Sequence, residues 1–237
     1  MKYLLLIFFT TSINLFSQNA IFSEVKLTQD SDTSFWFKRE IDITKRINHS
    51  EPNSKNDYFK ISNLDYNLEI SNNIGKITLI VYEYFEGFRT PEIYSKSFQL
   101  NSSQTEKILN LKDSLTISKI PSDTYIEKWT QGVDGIIYIL EEKKGNSYSF
   151  KKYWTPSAQK RFEESISLNY FFNEVEKIID YHLLKNQFEK SIPFYGYSYR
   201  GSMVIINRIS RDKKYRKYKR IKKKQLKKVN ISDYIDF

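Results

Sequence analysis

The chain has 237 residues, 40% hydrophobic, 16% aromatic and 28% charged, with 7 Gly, 5 Pro and no Cys. That composition excludes a disordered or fibrous chain, and the missing cysteines exclude disulfide frameworks, thiolate zinc sites, thiol nucleophiles and cysteine-linked lipid. The net charge of +10 points toward acidic partners if it is concentrated in one place.

Met1-Lys2 precedes the apolar run Tyr3 to Phe9, and the small residue Ser17 follows. Charge, apolar run and small residue in that order read as a secretory signal peptide over 1–17, with Gln18 the new N-terminus. The run is too short to cross about 30 Å of hydrocarbon as a helix. The expected destination is therefore the periplasm or the exterior, with no transmembrane segment in the mature chain.

From Ile21 to Leu100 the pattern is strand-like, with candidates at Phe22 to Leu27, Phe35 to Ile43, Phe59 to Ile70, Ile74 to Phe85 and Ile93 to Leu100. Leu64 to Ile70 alternates apolar and polar residues, which predicts one face on a core and one in water. Ser71-Asn72-Asn73-Ile74-Gly75 then supplies the turn of an antiparallel hairpin. The polar stretch from Asn48 to Asp57 reads as a loop.

Ser103-Gln104-Thr105-Glu106 is a capping-box pattern that opens a short helix to about Leu115. Pro121 suggests a return to strand. Gly135 to Leu140 is almost wholly apolar and reads as a central strand, turned by Lys143-Lys144-Gly145-Asn146 into Ser147 to Trp154. Thr155-Pro156 suggests a helix start, and Leu168, Phe171, Phe172, Val175, Ile178, Ile179 and Leu183 recur at helical spacing, predicting one long amphipathic helix to about Glu189. A short strand over Met203 to Ile206 follows. The fold expected is α+β over 18–207: a mostly antiparallel sheet with one short helix and one long amphipathic C-terminal helix packed on it.

Glycines at the offsets that cradle phosphates or dinucleotides are absent, as are a metalloprotease histidine pair and a nucleophile elbow. No catalytic, metal-ligating or cofactor-binding residue is assigned, and no cofactor is expected. His49 falls in the polar loop, where solvent should surround it, and His182 on the apolar stripe of the long helix. The pairs Glu141-Glu142 and Glu163-Glu164 read as solvated surface charge, since neighbouring side chains diverge on a strand or helix. Trp36, Trp129 and Trp154 suit core or interface positions. Tyr195, Tyr197 and Tyr199 would share one face of an extended segment, with Arg200 beside them. Packing on the long helix is the expected use of these rings, and a candidate aromatic platform for a sugar or base is the functional alternative.

The basic charge is local. Between 208 and 228 stand Arg208, Arg211, Lys213, Lys214, Arg216, Lys217, Lys219, Arg220, Lys222, Lys223, Lys224, Lys227 and Lys228, against Asp212 alone. This segment carries +12, so the remainder of the chain sums to −2. Residues 208–237 read as a basic tail with Tyr215, Tyr218, Ile221 and Val229 interleaved. In a cytosolic protein such a run suggests nucleic acid. Expected export shifts the partner toward an anionic envelope surface, lipopolysaccharide phosphates or acidic polysaccharide.

Three functions remain open on the sequence. The first is a non-catalytic envelope or secreted binding protein attached to polyanions by its tail. The second is a carboxylate-dependent hydrolase of envelope glycan or peptide, and the third a protein-binding inhibitor or immunity-type module. Whether the protein is an enzyme is not decided by its sequence.

Overall fold

A computed structural model describes residues 25–33, 35–85, 92–199, 204–206 and 213–232, with the side chains of 204–206 and 227–232 excepted. The expected signal peptide over 1–17 lies outside them, as do Arg200, Arg208 and Arg211. The fold is α+β, and the chain divides into two compact units.

In the first unit the strand order is β1-β7-β6-β2-β3-β4. The strands are β1 (Lys26–Leu27), β2 (Tyr58–Ser62), β3 (Tyr66–Ser71), β4 (Ile74–Glu83, in this unit to Ile77), β6 (Ile137–Lys144) and β7 (Ser147–Trp154). Pairing is antiparallel between β2 and β3, β2 and β6, and β6 and β7, while β1 runs parallel to β7. Two tight turns were readable from the sequence. Asn72 and Asn73 link β3 to β4 with φ of 50° and 60°, and Gly145, at φ 55°, turns β6 into β7. Asparagine and glycine tolerate this left-handed region, which two-residue hairpin turns require. The apolar strand β6 is central, as expected from its sequence.

Alternation splits the sheet residues between two covered faces. Phe59 packs on Phe171 and Tyr138 stacks on Phe172, ring centroids 6.3 and 4.0 Å apart, so α3 (Glu163–Ile178) covers one face. The opposite face carries Tyr58, Ile137, Ile139, Tyr148 and Phe150, which form a core with Val25, Phe37 and Ile41. Phe37 and Ile41 belong to α1 (Phe35–Arg46), where a strand was expected. Of its buried positions, Phe37, Glu40, Ile41 and Thr44 follow the i, i+3, i+4, i+7 rule of a helix face, with Ile43 buried beside them. Two of them are polar, which hid the period.

The other departures have equally local causes. The capping box of α2 (Ser102–Ser114) is built by Asn101 and Gln104, not Ser103 and Glu106: Asn101 Oδ1 accepts from Gln104 N at 2.9 Å and Gln104 Oε1 accepts from Asn101 N at 3.0 Å. The segment around Pro121 forms 3-10 turns at Ile117–Lys119 and Asp123–Tyr125 instead of a strand. Its side chains serve the edge of β7: Ser122 Oγ accepts from Lys152 N at 3.0 Å and Asp123 Oδ2 from Trp154 N at 2.7 Å. Those bonds close an edge open to strand addition. Pro156 opens only a short 3-10 turn, Pro156–Ala158, and α3 starts at Glu163. The expected single long helix is two, α3 and α4 (Tyr181–Glu189), separated at Asp180 with its φ of 52°. Leu168, Phe171, Phe172, Val175 and Ile179 are buried as expected, but Leu183 and His182 on α4 are exposed. Trp129 is buried, while Trp36 and Trp154 pack on the core.

The second unit contains β4 from Thr78, most of β5 (Ile93–Gln99), nearly all of α4, β8 (Gly196–Ser198), β9 (Val204–Ile206) and α5 (Lys213–Ser232). Strands β5 and β8 both pair with β4, and β9 pairs antiparallel with β8. Gly196 suits this close approach, since a Cβ would stand 3.0 Å from the Tyr84 carbonyl oxygen, a tight contact. Tyr94 stacks on Phe188 at 5.6 Å and meets Phe194 edge-on at 6.4 Å. No described helix is long and apolar enough to cross a membrane.

Candidate functional site

The exposed basic surface lies on α5. Lys213, Lys214, Arg216, Lys217, Lys219, Arg220, Lys223 and Lys224 are all exposed. Five of them, Arg216, Lys219, Arg220, Lys223 and Lys224, line an open groove of about 480 Å³. The other side of the helix is held within the second unit. Tyr215 and Tyr218 pack against Tyr195, with ring centroids 5.0 and 4.8 Å apart, and Tyr218 also meets Phe85 at 6.1 Å.

Lys222 differs from its basic neighbours. Its side chain is only 7% exposed, and Nζ donates to Glu83 Oε2 at 2.7 Å and Glu92 Oε1 at 2.8 Å. The Tyr218 hydroxyl donates to the other Glu83 oxygen. Burial alone would lower the Lys222 pKa, but the two carboxylates outweigh it and hold the ammonium above its ordinary range. Lys222 is thus committed internally and fixes which side of α5 faces outward. Lys227 and Lys228 lie in α5, but their side chains are outside the described residues.

The tyrosine segment is placed as packing. Tyr197 and Tyr199 are 4% and 3% exposed, their rings edge to face at 5.9 Å. Tyr199 donates to Glu189 Oε1 at 3.0 Å beneath the Lys185 ammonium. These two rings offer no open stacking face, and Tyr195 is occupied by the tyrosines of α5. Arg200 lies outside the described residues.

A buried charged row in the first unit went unseen in the sequence. Register puts Lys60 of β2 directly between Glu69 of β3 and Glu141 of β6. Lys60 is fully buried, 3.6 Å from Glu141 Oε2, and its Nζ also donates to the Ser50 carbonyl. Tyr148 OH donates to Glu141 Oε2 at 2.8 Å. Ser50 N and Oγ donate to Glu69 at 2.7 and 3.0 Å, and His49 Nδ1 stands 3.4 Å from the same carboxylate. Asn67 bridges Ser62 and Glu40 of α1 at 2.8 and 3.4 Å. Three expectations are corrected here. The polar residues alternating along Leu64 to Ile70 do not all face water, because Asn67 is buried against Glu40 of α1 and Glu69 against the His49-Ser50 segment that follows this helix. His49 is fully buried rather than solvated. Glu141 is likewise internal, whereas Glu142 turns to the opposite face, with Lys112 and Lys144 at 2.9 and 3.0 Å. The pair does not converge on one point, as two carboxylates cleaving a glycan must.

Burial is the largest influence on Glu141 and raises its pKa; Lys60 opposes this, Glu40 and Glu69 reinforce it, and the net direction is upward from the ordinary 4.5. A carboxyl raised on folding contributes stability that is complete below its unfolded pKa and is lost as pH rises through the folded value. Glu141→Gln, which keeps the shape without the charge, removes that loss. The stability of wild type relative to this variant should fall in thermal unfolding experiments as pH rises above 4.5. A difference independent of pH would show that Glu141 titrates normally.

A second groove, of about 310 Å³ in the first unit, is lined in part by Asp57, Lys112, Glu142, Lys143 and Lys144. Its cations are balanced: Lys112 and Lys144 pair with Glu142, and Lys143 stands 4.0 Å from Asp57. Among the described residues no cluster of three or more His, Asp or Glu is arranged to hold a metal ion. Comparison with known proteins finds no matching family model and no matching curated protein.

Proposed function

We propose that this chain is an exported, non-catalytic binding protein that attaches to polyanions through α5. The observation that carries the reading is how that helix divides its surface: eight exposed Lys or Arg residues between Lys213 and Lys224 spread over most of its circumference, and Tyr218 and Lys222 held by Glu83 on the remaining strip. Among the described residues no carboxylate pairs with these eight cations, and cations so placed can exchange small counterions for a polyanion, which supplies affinity. The cations of the 310 Å³ groove, each beside a carboxylate, lack that capacity.

Export is supported by Lys2, the apolar run from Tyr3 to Phe9 and Ser17. It makes acidic polysaccharide, lipopolysaccharide phosphates or anionic lipid the partners within reach. Expressed with its own N-terminus, the protein should be recovered outside the cytoplasm, begin near Gln18 by mass spectrometry and be retained on a heparin matrix until salt is raised. Recovery with Met1 to Ala20 intact would defeat the export part, and flow-through at low salt the binding part.

A further inference from the structure

We infer that the partner of α5 is a flexible linear polyanion, of the acidic-polysaccharide kind, that wraps around the helix rather than the flat face of a lipid bilayer. This inference rests on the reading above and narrows it.

An α-helix turns about 100° per residue. Measured around the axis from Lys222, which points into the protein, Lys213, Arg220 and Lys224 all lie within about 20° of the opposite direction. Lys219 and Lys214 mark the two flanks, about 120° and 100° away from that outward direction. The exposed cations therefore span about 220° of arc. A plane resting on the outward side meets the central three. Side chains that lean more than a right angle away reach it only by bending their stems back around the helix.

The helix carries like charges at i, i+4 in Lys213 and Lys217, in Arg216, Arg220 and Lys224, and in Lys219 and Lys223. Each such pair weakens a helix. A partner that curves around the arc neutralises all three rows, whereas a plane relieves only the central charges. The remaining side of the helix does not favour a bilayer either. Amphipathic helices that lie in a membrane bury an apolar face in it, and here Tyr215 and Tyr218 are already packed on Tyr195. Ile221, 46% exposed, is the one exposed apolar side chain between Lys213 and Lys224. Attachment is then by charge alone. Duplex nucleic acid also has concave grooves, but the expected export places the protein away from it.

The experiment compares two double variants of equal charge change, both checked for wild-type circular dichroism and unfolding: a central pair, Arg220→Gln with Lys224→Gln, and a flank pair, Lys214→Gln with Lys219→Gln. Each is titrated against heparin, against vesicles of phosphatidylglycerol and phosphatidylcholine, and against a short DNA duplex. The expected result is a comparable loss of heparin affinity in both variants, at least tenfold each, with the salt slope reduced by about two in each case. Vesicle binding should be weaker and respond to the central pair alone. Heparin binding that ignores the flank pair would overturn the wrapping geometry. Tighter binding to vesicles or to the duplex than to heparin would overturn the choice of partner while leaving the polyanion reading intact. Wild type that binds none of the three defeats the underlying reading itself.

Discussion

Val175→Asp should unfold the first unit or leave it barely folded. Val175 is fully buried on α3, on the side that bears Phe171 and Phe172 against the sheet. An aspartate there would be an unpaired charge in an apolar layer, costing about 4 kcal/mol or more, a large share of the roughly 5–15 kcal/mol by which domains are stable. Lys177 is the control two residues along the same helix. Its side chain is 71% exposed and its ion pair with Glu174, at 2.6 Å, lies in solvent, where such pairs contribute little. Lys177→Ala should melt with wild type. Equal melting temperatures for the two variants would mean that α3 presents a different face to the sheet.

Replacing the eight exposed cations between Lys213 and Lys224 by Gln should abolish polyanion binding without unfolding the second unit. Glutamine is a good helix former, and the change removes like-charge repulsion while leaving Tyr215, Tyr218 and Lys222 in place. Deleting residues 208–237 is a less discriminating experiment than the sequence suggests. It would also remove Lys222 and Tyr218 and strand Glu83, whose side chain is only 2% exposed, as a buried carboxylate without its cation. Lost binding would then be inseparable from lost structure.

The hairpins were legible because their turns depend on a few residues, Asn72-Asn73 and Gly145, whose backbone freedom is written in the sequence. The buried face of α3 was legible because four of its five buried positions, Leu168, Phe171, Phe172 and Val175, are aliphatic or aromatic. α1 was not, because Glu40 and Thr44 occupy two of its buried positions and leave Phe37 and Ile41 resembling part of an alternating strand. That misreading propagated. Without a helix over that face of the sheet, Asn67, Glu69 and Glu141 read as solvated. Only the register of β2 between β3 and β6 brings Glu69, Lys60 and Glu141 into one row, and register between strands about 80 residues apart in sequence depends on tertiary packing. On α5 the density of charge was visible at once. Its sidedness was not, since Lys222 is indistinguishable from its neighbours until Glu83 and Glu92 are placed beside it.

The most direct test is the salt dependence of heparin binding by wild type and by the eight-residue Gln variant, with circular dichroism confirming that both are folded. If six or more anionic groups are contacted, wild-type affinity should fall by roughly 10³-fold or more between about 50 and 200 mM salt, as it does for phosphate contacts on a duplex. The variant should bind too weakly at 50 mM to define a slope. Wild-type affinity that is flat across this range, or a folded variant that binds as tightly as wild type, would contradict the assignment of polyanion attachment to α5.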